Sequence, residues 1–512
     1  MQIVFLRFIG AAMSTVIIIG SGVGGLVAGN ILAKKGHKVT IFESHHSPGG
    51  YIAGFYRNGF YFESGTLSFE ASASVFKAMN DIGVLDKIKF VKFKTRLMSE
   101  DFDSIPDSYD QFKQMLYGAF GSEKDRLDNY FAEVDRMHQA ASSSLAKPIP
   151  ILFDGLPFVL SMLSFMASGM KYMKMNKQYG NITVGEFTAK FFDRQSKLYS
   201  LLTNMAYPEM AASLLGMVTF MVFDDYWTVY NGMQSWADIL ADNFKKSGGE
   251  LKLNSCVDEI VTKNGAAVGV RCDGTRFDAD YVIAACDYKR ALLSILDDKS
   301  LIPAERQQEI EKAAVSEGFF TVYLGLGLSN DKLKEHLKVP HVAYHIYRQP
   351  RDTPDANDGR FFENTSLYLF SPSLMNPELA PAGKSSLMIQ TISPIGWMQN
   401  WGADNAKQYK QLKAKVCDTL VKRAEAVIPG LRDSIEIVDA ATPLTYERFT
   451  HNTGGASSAW SWNPHKKFFS NTMGLNIETS VKNLYIGSCW ASQVGGVPGA
   501  LMAAYMCCKK IK

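Results

Sequence analysis

The sequence predicts an α/β fold, and three observations in its first fifty residues predict it. Residues 15–19, Thr-Val-Ile-Ile-Ile, are a β-branched run as long as a buried parallel strand. That run leads directly into Gly20-Ser21-Gly22-Val23-Gly24-Gly25, followed by a helical pattern over 23–35. A second strand pattern, 38–42, ends at Glu43. Strand, glycine turn, helix, strand and terminal acid in this order define a Rossmann-like unit that binds a dinucleotide.

Each part has a physical reason. Gly20 permits the tight turn out of the strand, Gly22 lets a pyrophosphate approach the backbone, and Gly25 lets the helix lie close to the sheet. Ser21 and Gly24 belong to the same turn and are counted with it as cofactor-binding. The helix N-terminus directs unpaired N–H groups and its dipole at the phosphates. Lys34 and Lys35 suit its C-terminal end, and Gly36 closes it. Glu43, about 20 residues past the glycines, can accept hydrogen bonds from ribose hydroxyls and would repel a 2′-phosphate. The dinucleotide is therefore FAD or NAD rather than NADP. Ser44 is grouped with Glu43.

Beyond Glu43 come Ser47-Pro48-Gly49-Gly50 and the aromatic stretch GFYRNGFYFESG over 54–65. Gly49, Gly50, Gly54, Phe55, Asn58, Gly59, Phe60, Phe62, Glu63 and Gly65 match a motif of one flavoprotein group. The sequence thus resembles the flavin-dependent amine-oxidase superfamily, and within it the phytoene desaturase, carotenoid isomerase and retinol saturase family. The resemblance implies FAD. It extends to Val257, matching a strand residue whose backbone holds the adenine, to Asp280-Tyr281-Val282-Ile283, and to Thr442-Pro443-Leu444-Thr445-Tyr446-Glu447-Arg448-Phe449. It returns at 483–488 and 495–500. There it implies that Gly487 and Ser488 hold ribityl and phosphate, and that Gly496 and Val497 open a helix facing the flavin ring. Ser488 stands where the family has Asp: a hydroxyl still hydrogen-bonds, but the charge is gone.

Bulk properties narrow the class. A chain of 512 residues exceeds one ordinary core and suggests two domains. The formal net charge of +3 gives no support to nucleic-acid binding. Seven cysteines, none in a CxxC, imply no disulfide framework and point to a reducing cytoplasm. Residues 1–12 are apolar with one Arg and are read as a short extension ahead of an internal start at Met13.

Along the chain, 71–85 has helical spacing and is expected to leave the dinucleotide fold for a second domain. Residues 155–170 carry no charge and are followed by Lys171, Lys174 and Lys177. The run falls short of the roughly 20 residues a spanning helix needs. It reads as a core helix or as a membrane-dipping one over 155–177. Residues 211–223 read as a helix lining an apolar pocket or packing in the second domain. A helix over 235–246 and strands at 250–253, 257–263, 267–272 and 281–285 follow, with hairpin turns at Asn264-Gly265 and Asp273-Gly274. Strands at 319–328, 366–371 and 385–391 could form a substrate-side sheet, and 406–427 is an amphipathic helix.

Other motifs are weak. Residues 323–330 have two spaced glycines but read as a strand, so no second nucleotide site is expected. His341 and His345 also read as strand residues, too far apart to share one metal ion. His45 and His46 are expected to face solvent, and Glu447-Arg448 to face the active site or pair with each other. Trp460, Trp462 and Trp490 read as core. No metal site and no catalytic residue can be named.

The resemblance implies a discontinuous FAD-binding domain (13–80, 226–315 and 470–512) with an inserted α+β substrate domain (81–225 and 316–469). It implies an FAD-dependent oxidoreductase acting on C–C or C=C bonds of a long apolar isoprenoid or carotenoid-like substrate, by desaturation, saturation or isomerisation. The alternatives are an amine-oxidase-type enzyme acting on a C–N bond and a non-catalytic flavin-bound lipid-binding protein. A quinone or another electron acceptor and peripheral membrane contact complete the expectation.

Overall fold

A computed structural model describes residues 13–345, 347, 358–471 and 474–512. The extension read at 1–12 lies outside the described residues. The strands Thr15–Ile19 and Lys38–Phe42 form as the sequence predicts, joined by the helix Val23–Lys34. They sit at the centre of a five-stranded parallel sheet ordered Leu484–Ile486, Tyr281–Ala284, Thr15–Ile19, Lys38–Phe42, Glu250–Lys252. Two of its strands come from near residue 250 and residue 281 and a third from near residue 484, so this layer is assembled from distant stretches of chain.

Hydrophobic burial explains which helices cover it. The helices Met233–Lys246 and Gly496–Lys510 bury Trp236, Leu240 and Phe244, and Leu501, Cys507 and Cys508, in the same core as the sheet. The helix Ser72–Ile82 joins them through Val75, Met79 and Ile82. This corrects the expectation for 71–85: an apolar stripe of that helix packs on the dinucleotide layer, and the chain leaves only afterwards. Ala456, Ala459 and Trp460 also pack in this core, as do Ile149 and Leu152.

An antiparallel unit of three strands, Val257–Lys263, Ala266–Cys272 and Thr275–Asp278, flanks the layer. Its turns are the expected ones. Asn264 and Gly265, and Asp273 and Gly274, all have positive φ, the conformation that matches hairpin twist. The last of these strands was not predicted, since Thr275-Arg276-Phe277-Asp278 has only one apolar residue.

The other half of the molecule is α+β. A seven-stranded sheet runs in the order Ile435–Ala441, Gly318–Leu326, Ser385–Ser393, Leu367–Phe370, His341–Tyr344, Thr95–Met98, Asp103–Ser104. Leu324, Ile389, Leu369 and Val342 on one face pack under the helix Ala406–Ala424. The stretch 323–330 falls within and just beyond the strand Gly318–Leu326, antiparallel to both neighbours. It therefore makes no strand-to-helix turn of the nucleotide-binding kind.

A separate helical core includes Lys124–Leu145 and Leu215–Phe223. These two helices cross in backbone contact, because a Cβ on Gly216 would overlap the Met137 carbonyl. The helix Gly155–Tyr179 packs against Lys124–Leu145 but leaves most of its apolar residues in solvent. Leu156, Leu163 and Met173 are 69%, 60% and 69% exposed, so the core-helix reading does not hold for this face.

Candidate active site

A single cavity of about 1210 Å³ runs from the carboxyl end of the parallel sheet to the inner face of the seven-stranded sheet. Open α/β sheets bind ligands at this end, where strand order reverses. Gly20 turns out of the first strand with φ +101, a conformation that favours glycine. Gly22 then caps the helix Val23–Lys34 without a side-chain hydrogen bond, and no acid occupies the first turn. A Cβ on Gly22 would meet no atom within 4 Å. The helix N-terminus is thus bare, uncapped and open to the cavity, which is the arrangement a pyrophosphate requires.

Most of the residues the sequence singled out are brought together here. Gly20, Gly22, Gly24, Glu43, Ser44, Gly49, Gly50, Val257, Ser488, Gly496 and Val497 all line the cavity. Ser21, Gly25 and Gly487 do not. Ser21 is fully buried, and its N–H and hydroxyl donate to Glu43 Oε2 at 2.8 and 2.7 Å. Gly25 abuts the Gly20 carbonyl, and Gly487 presents its own carbonyl to Gly24. These three shape the cradle from behind. The other oxygen of Glu43 accepts the His45 N–H at 2.9 Å, so the carboxylate is held rigidly.

Ser488, at the position of the family's Asp, donates its hydroxyl to the Cys286 carbonyl at 2.7 Å. That bond ties the ends of two neighbouring strands and leaves the Ser488 oxygen as an acceptor only. Near it the helix Gly496–Lys510 begins, again with no side-chain cap and no acid in its first turn. Two bare helix N-termini therefore face one cavity. The residues fit a dinucleotide carrying a second electron-rich ring system.

Beyond this region the wall changes character. Met217, Val218, Met221 and Val222 from the helix Leu215–Phe223 form an apolar side, as expected for 211–223. Glu447 accepts the Gly454 N–H at 2.9 Å instead of pairing with Arg448, whose guanidinium lies 4.6 Å from the Phe449 ring centroid at the cavity wall. Trp460 and Trp490 are core, Trp490 also touching the cavity, whereas half-buried Trp462 lines the cavity, which corrects the core reading for that residue. His45 and His46 also border the cavity, His45 half-buried and His46 exposed.

Sequence reasoning missed Glu70. It lines the cavity, and one carboxylate oxygen lies 3.4 Å from where a Cβ on Gly496 would stand. Burial first, and the Asp225 carboxylate second, push its pKa up to about 7. Asp225 is itself held by Ser72 and by the Trp227 indole N–H. The signal was available: Glu70 is the one charged residue between Ser64 and Phe76.

With the geometry established, comparison with known proteins defines the class. A family model for flavin-containing amine oxidoreductases matches residues 23–512, and the chain belongs to that family. It is an FAD-dependent oxidoreductase. Among its relatives is prolycopene isomerase 2, chloroplastic, of an Oncidium hybrid cultivar, 27% identical, the match covering 97% of this chain and 83% of that one. A 4,4'-diapophytoene desaturase of Methylomonas sp is 25% identical, with 88% of each chain covered. The all-trans-retinol 13,14-reductase of Danio rerio is 23% identical, with 96% and 84% covered. Among solved structures, putrescine oxidase bound to putrescine shares the fold with a TM-score of 0.62 at 14% identity, covering 98% of this chain and 99% of that one.

Two predictions follow from the cavity. Gly22→Val adds a side chain to the pyrophosphate approach while its backbone, at φ −63, accepts any residue. The variant is expected to keep its circular dichroism and to lose the yellow flavin absorbance. Glu70 is neutral below about pH 7 and ionised above it. An apolar ligand beside it favours the neutral form, so a hydrophobic fluorescent probe should bind more weakly as pH rises through 7, and Glu70→Gln should flatten that dependence.

Proposed function

We propose that this enzyme acts on C–C or C=C bonds of a long, apolar isoprenoid or carotenoid-like polyene. The observation that carries the reading is the continuity of the cavity: one space joins the dinucleotide cradle to the apolar wall at Met217, Val218, Met221 and Val222. The names of its relatives support it, since a prolycopene isomerase, a diapophytoene desaturase and a retinol reductase all name polyenes.

In this reading Gly22 and Gly24 hold the pyrophosphate, Glu43 and Ser44 the ribose, and the Val257 backbone the adenine. Gly49 and Gly50 pass beside the phosphates, and Ser488, Gly496 and Val497 border the flavin. Segments 13–80, 226–315 and 470–512 serve the dinucleotide, and 81–225 and 316–469 serve the substrate, with 456–469 packing back on the first. When bound, FAD supplies the capacity to take up or return a hydride or an electron pair. The chain aligns the polyene along the methionine-rich wall and excludes water. Glu70, its pKa near neutrality, can hold or release a proton beside the helix N-terminus at Gly496.

The test is anaerobic mixing of FAD-loaded protein with a linear hydrocarbon polyene. Change in the flavin band, or a new polyene isomer by chromatography, is the expected result. NADH and NADPH should leave the oxidised band unchanged, and a soluble quinone should reoxidise the reduced protein. Bleaching by a pyridine nucleotide, or inertness toward every polyene, rejects the reading. A second reading, oxidation of an amine, draws on the Tyr51 and Tyr446 rings, 6.1 Å apart at the cavity wall, and is scored by peroxide release from an amine panel.

We also propose that the helix Gly155–Tyr179 rests on the cytoplasmic surface of a membrane. No helix among the described residues is long and apolar enough to cross one. This helix instead exposes Leu156, Leu160, Leu163, Met166, Met170 and Met173. Lys171, Lys174 and Lys177 are exposed beside them, and no acid lies between 155 and 179. An apolar stripe with basic flanks suits an anionic lipid surface, which would also place a quinone within reach. Wild type should float with anionic vesicles, whereas Leu156→Ser/Leu160→Ser/Leu163→Ser should stay below while keeping its flavin. Wild type that stays below rejects the contact.

A further inference from the structure

The seven-stranded sheet has two unlike faces. The face under the helix Ala406–Ala424 is mainly apolar, and its buried Thr391 hydroxyl already donates to the Ser366 carbonyl. The opposite face lines the cavity with the buried polar side chains Gln390, His341 and His345, set among Phe319, Tyr323 and Ala343. A polyene hydrocarbon offers the polar members of this wall no hydrogen bond. Burying polar side chains costs free energy unless they find hydrogen-bond partners.

Part of this wall closes on itself. Thr321 Oγ1 bonds the Tyr446 hydroxyl at 2.6 Å and accepts from Gln390 Nε2 at 3.1 Å. The two histidines are different. His341 Nδ1 meets Thr95 Oγ1 at 2.9 Å, and His345 Nδ1 meets Ser366 Oγ at 3.3 Å. The second nitrogen of each ring has no hydrogen-bond partner among the described residues. Phe93, 4.7 Å from the His341 ring centroid, helps to fix that ring in place. Four residues apart on extended chain, the two rings offer hydrogen bonds roughly 13 Å apart along the cavity.

The chemistry of the missing partner is constrained. Burial lowers the histidine pKa values to about 3 and about 4, so both rings are neutral and give no charge to a carboxylate. Glu70, on another part of the wall, disfavours an anion further. Across the cavity the helix Leu215–Phe223 is apolar.

We propose that the substrate is a long polyene bearing a neutral oxygen function, a hydroxyl or carbonyl, that hydrogen-bonds to His341 or His345. This rests on the polyene reading above and narrows it: the enzyme selects an oxygenated polyene over the plain hydrocarbon. A neutral imidazole serves either group, donating to a carbonyl or accepting from a hydroxyl.

The experiment titrates FAD-loaded protein in detergent micelles with four probes of equal chain length: a linear polyene hydrocarbon and its terminal alcohol, aldehyde and carboxylic acid. Binding is read by quenching of tryptophan fluorescence, with Trp462 and Trp490 at the cavity wall, and by perturbation of the flavin band. The alcohol and aldehyde are expected to bind about tenfold more tightly than the hydrocarbon. His341→Phe/His345→Phe should abolish that preference while keeping or improving hydrocarbon binding. Wild type that binds the hydrocarbon equally well overturns the inference, as does a preference that survives in the double variant or one that favours the acid. If the double variant loses its flavin, the single variants His341→Gln and His345→Gln, which keep a hydrogen-bonding side chain, should retain the preference, and its loss in both overturns the assignment. If no probe binds, the polyene reading itself falls, a result distinct from equal binding of all probes.

Discussion

The close approach of one helix to one sheet is the constraint on which the rest of the molecule depends. Where Val23–Lys34 leaves the sheet, a Cβ on Gly24 would overlap the Gly487 carbonyl and a Cβ on Gly25 would overlap the Gly20 carbonyl. With no side chains between them, backbone lies directly on backbone. The helix N-terminus is thereby aimed at the cavity from a fixed distance, and the strand Leu484–Ile486 is drawn in beside Tyr281–Ala284. The helix Gly496–Lys510, which follows that strand, then packs along Val23–Lys34 and delivers the second bare N-terminus. Both ends of the cofactor cradle thus rest on one glycine contact.

Legibility in the sequence follows the range of the forces involved. The strand–turn–helix–strand unit and both hairpin turns are governed by local backbone conformation, and glycine, asparagine and aspartate announce such conformations directly. Most of the residues singled out from the motifs line the cavity for the same reason. Ser21, Gly25 and Gly487 were placed correctly in the chain, but their step back from the cavity depends on side-chain direction, which a motif does not carry. Of the seven-stranded sheet, the strands at 319–328, 366–371 and 385–391 and a strand around 341–345 were legible and the first three expected to form a sheet, whereas those at 95–98, 103–104 and 435–441 were not, because the sheet order joins 95–104 to 341–344 and 435–441 to 318–326. Pairings of that sequence separation leave no local trace. Glu70 was legible only as an isolated charge, since its role depends on burial beside Asp225 and Gly496.

The cavity itself is built from opposed physical chemistries. One wall offers dispersion contacts from flexible methionine and valine side chains, which adapt to an elongated ligand without fixing its position along the groove. The other wall offers directional hydrogen bonds from strands, whose rigid spacing defines a register. A chain-like ligand between them is free to slide until a polar group meets a fixed partner. In the proposed reading, position along the groove is set by the sheet and affinity for the groove by the helix.

The Gly24–Gly487 contact also has a consequence for how the protein is made. The two residues are 463 positions apart in the chain (487 − 24). At roughly 5–20 residues per second of synthesis, the first helix waits on the order of half a minute or more on the ribosome before its partner strand emerges. During that interval Gly24 and Ala28, buried in the finished molecule, lack the helix Gly496–Lys510, whose Ala500 and Cys508 lie against them. The contact between the first helix and its partner strand is therefore among the last to form as the chain is made.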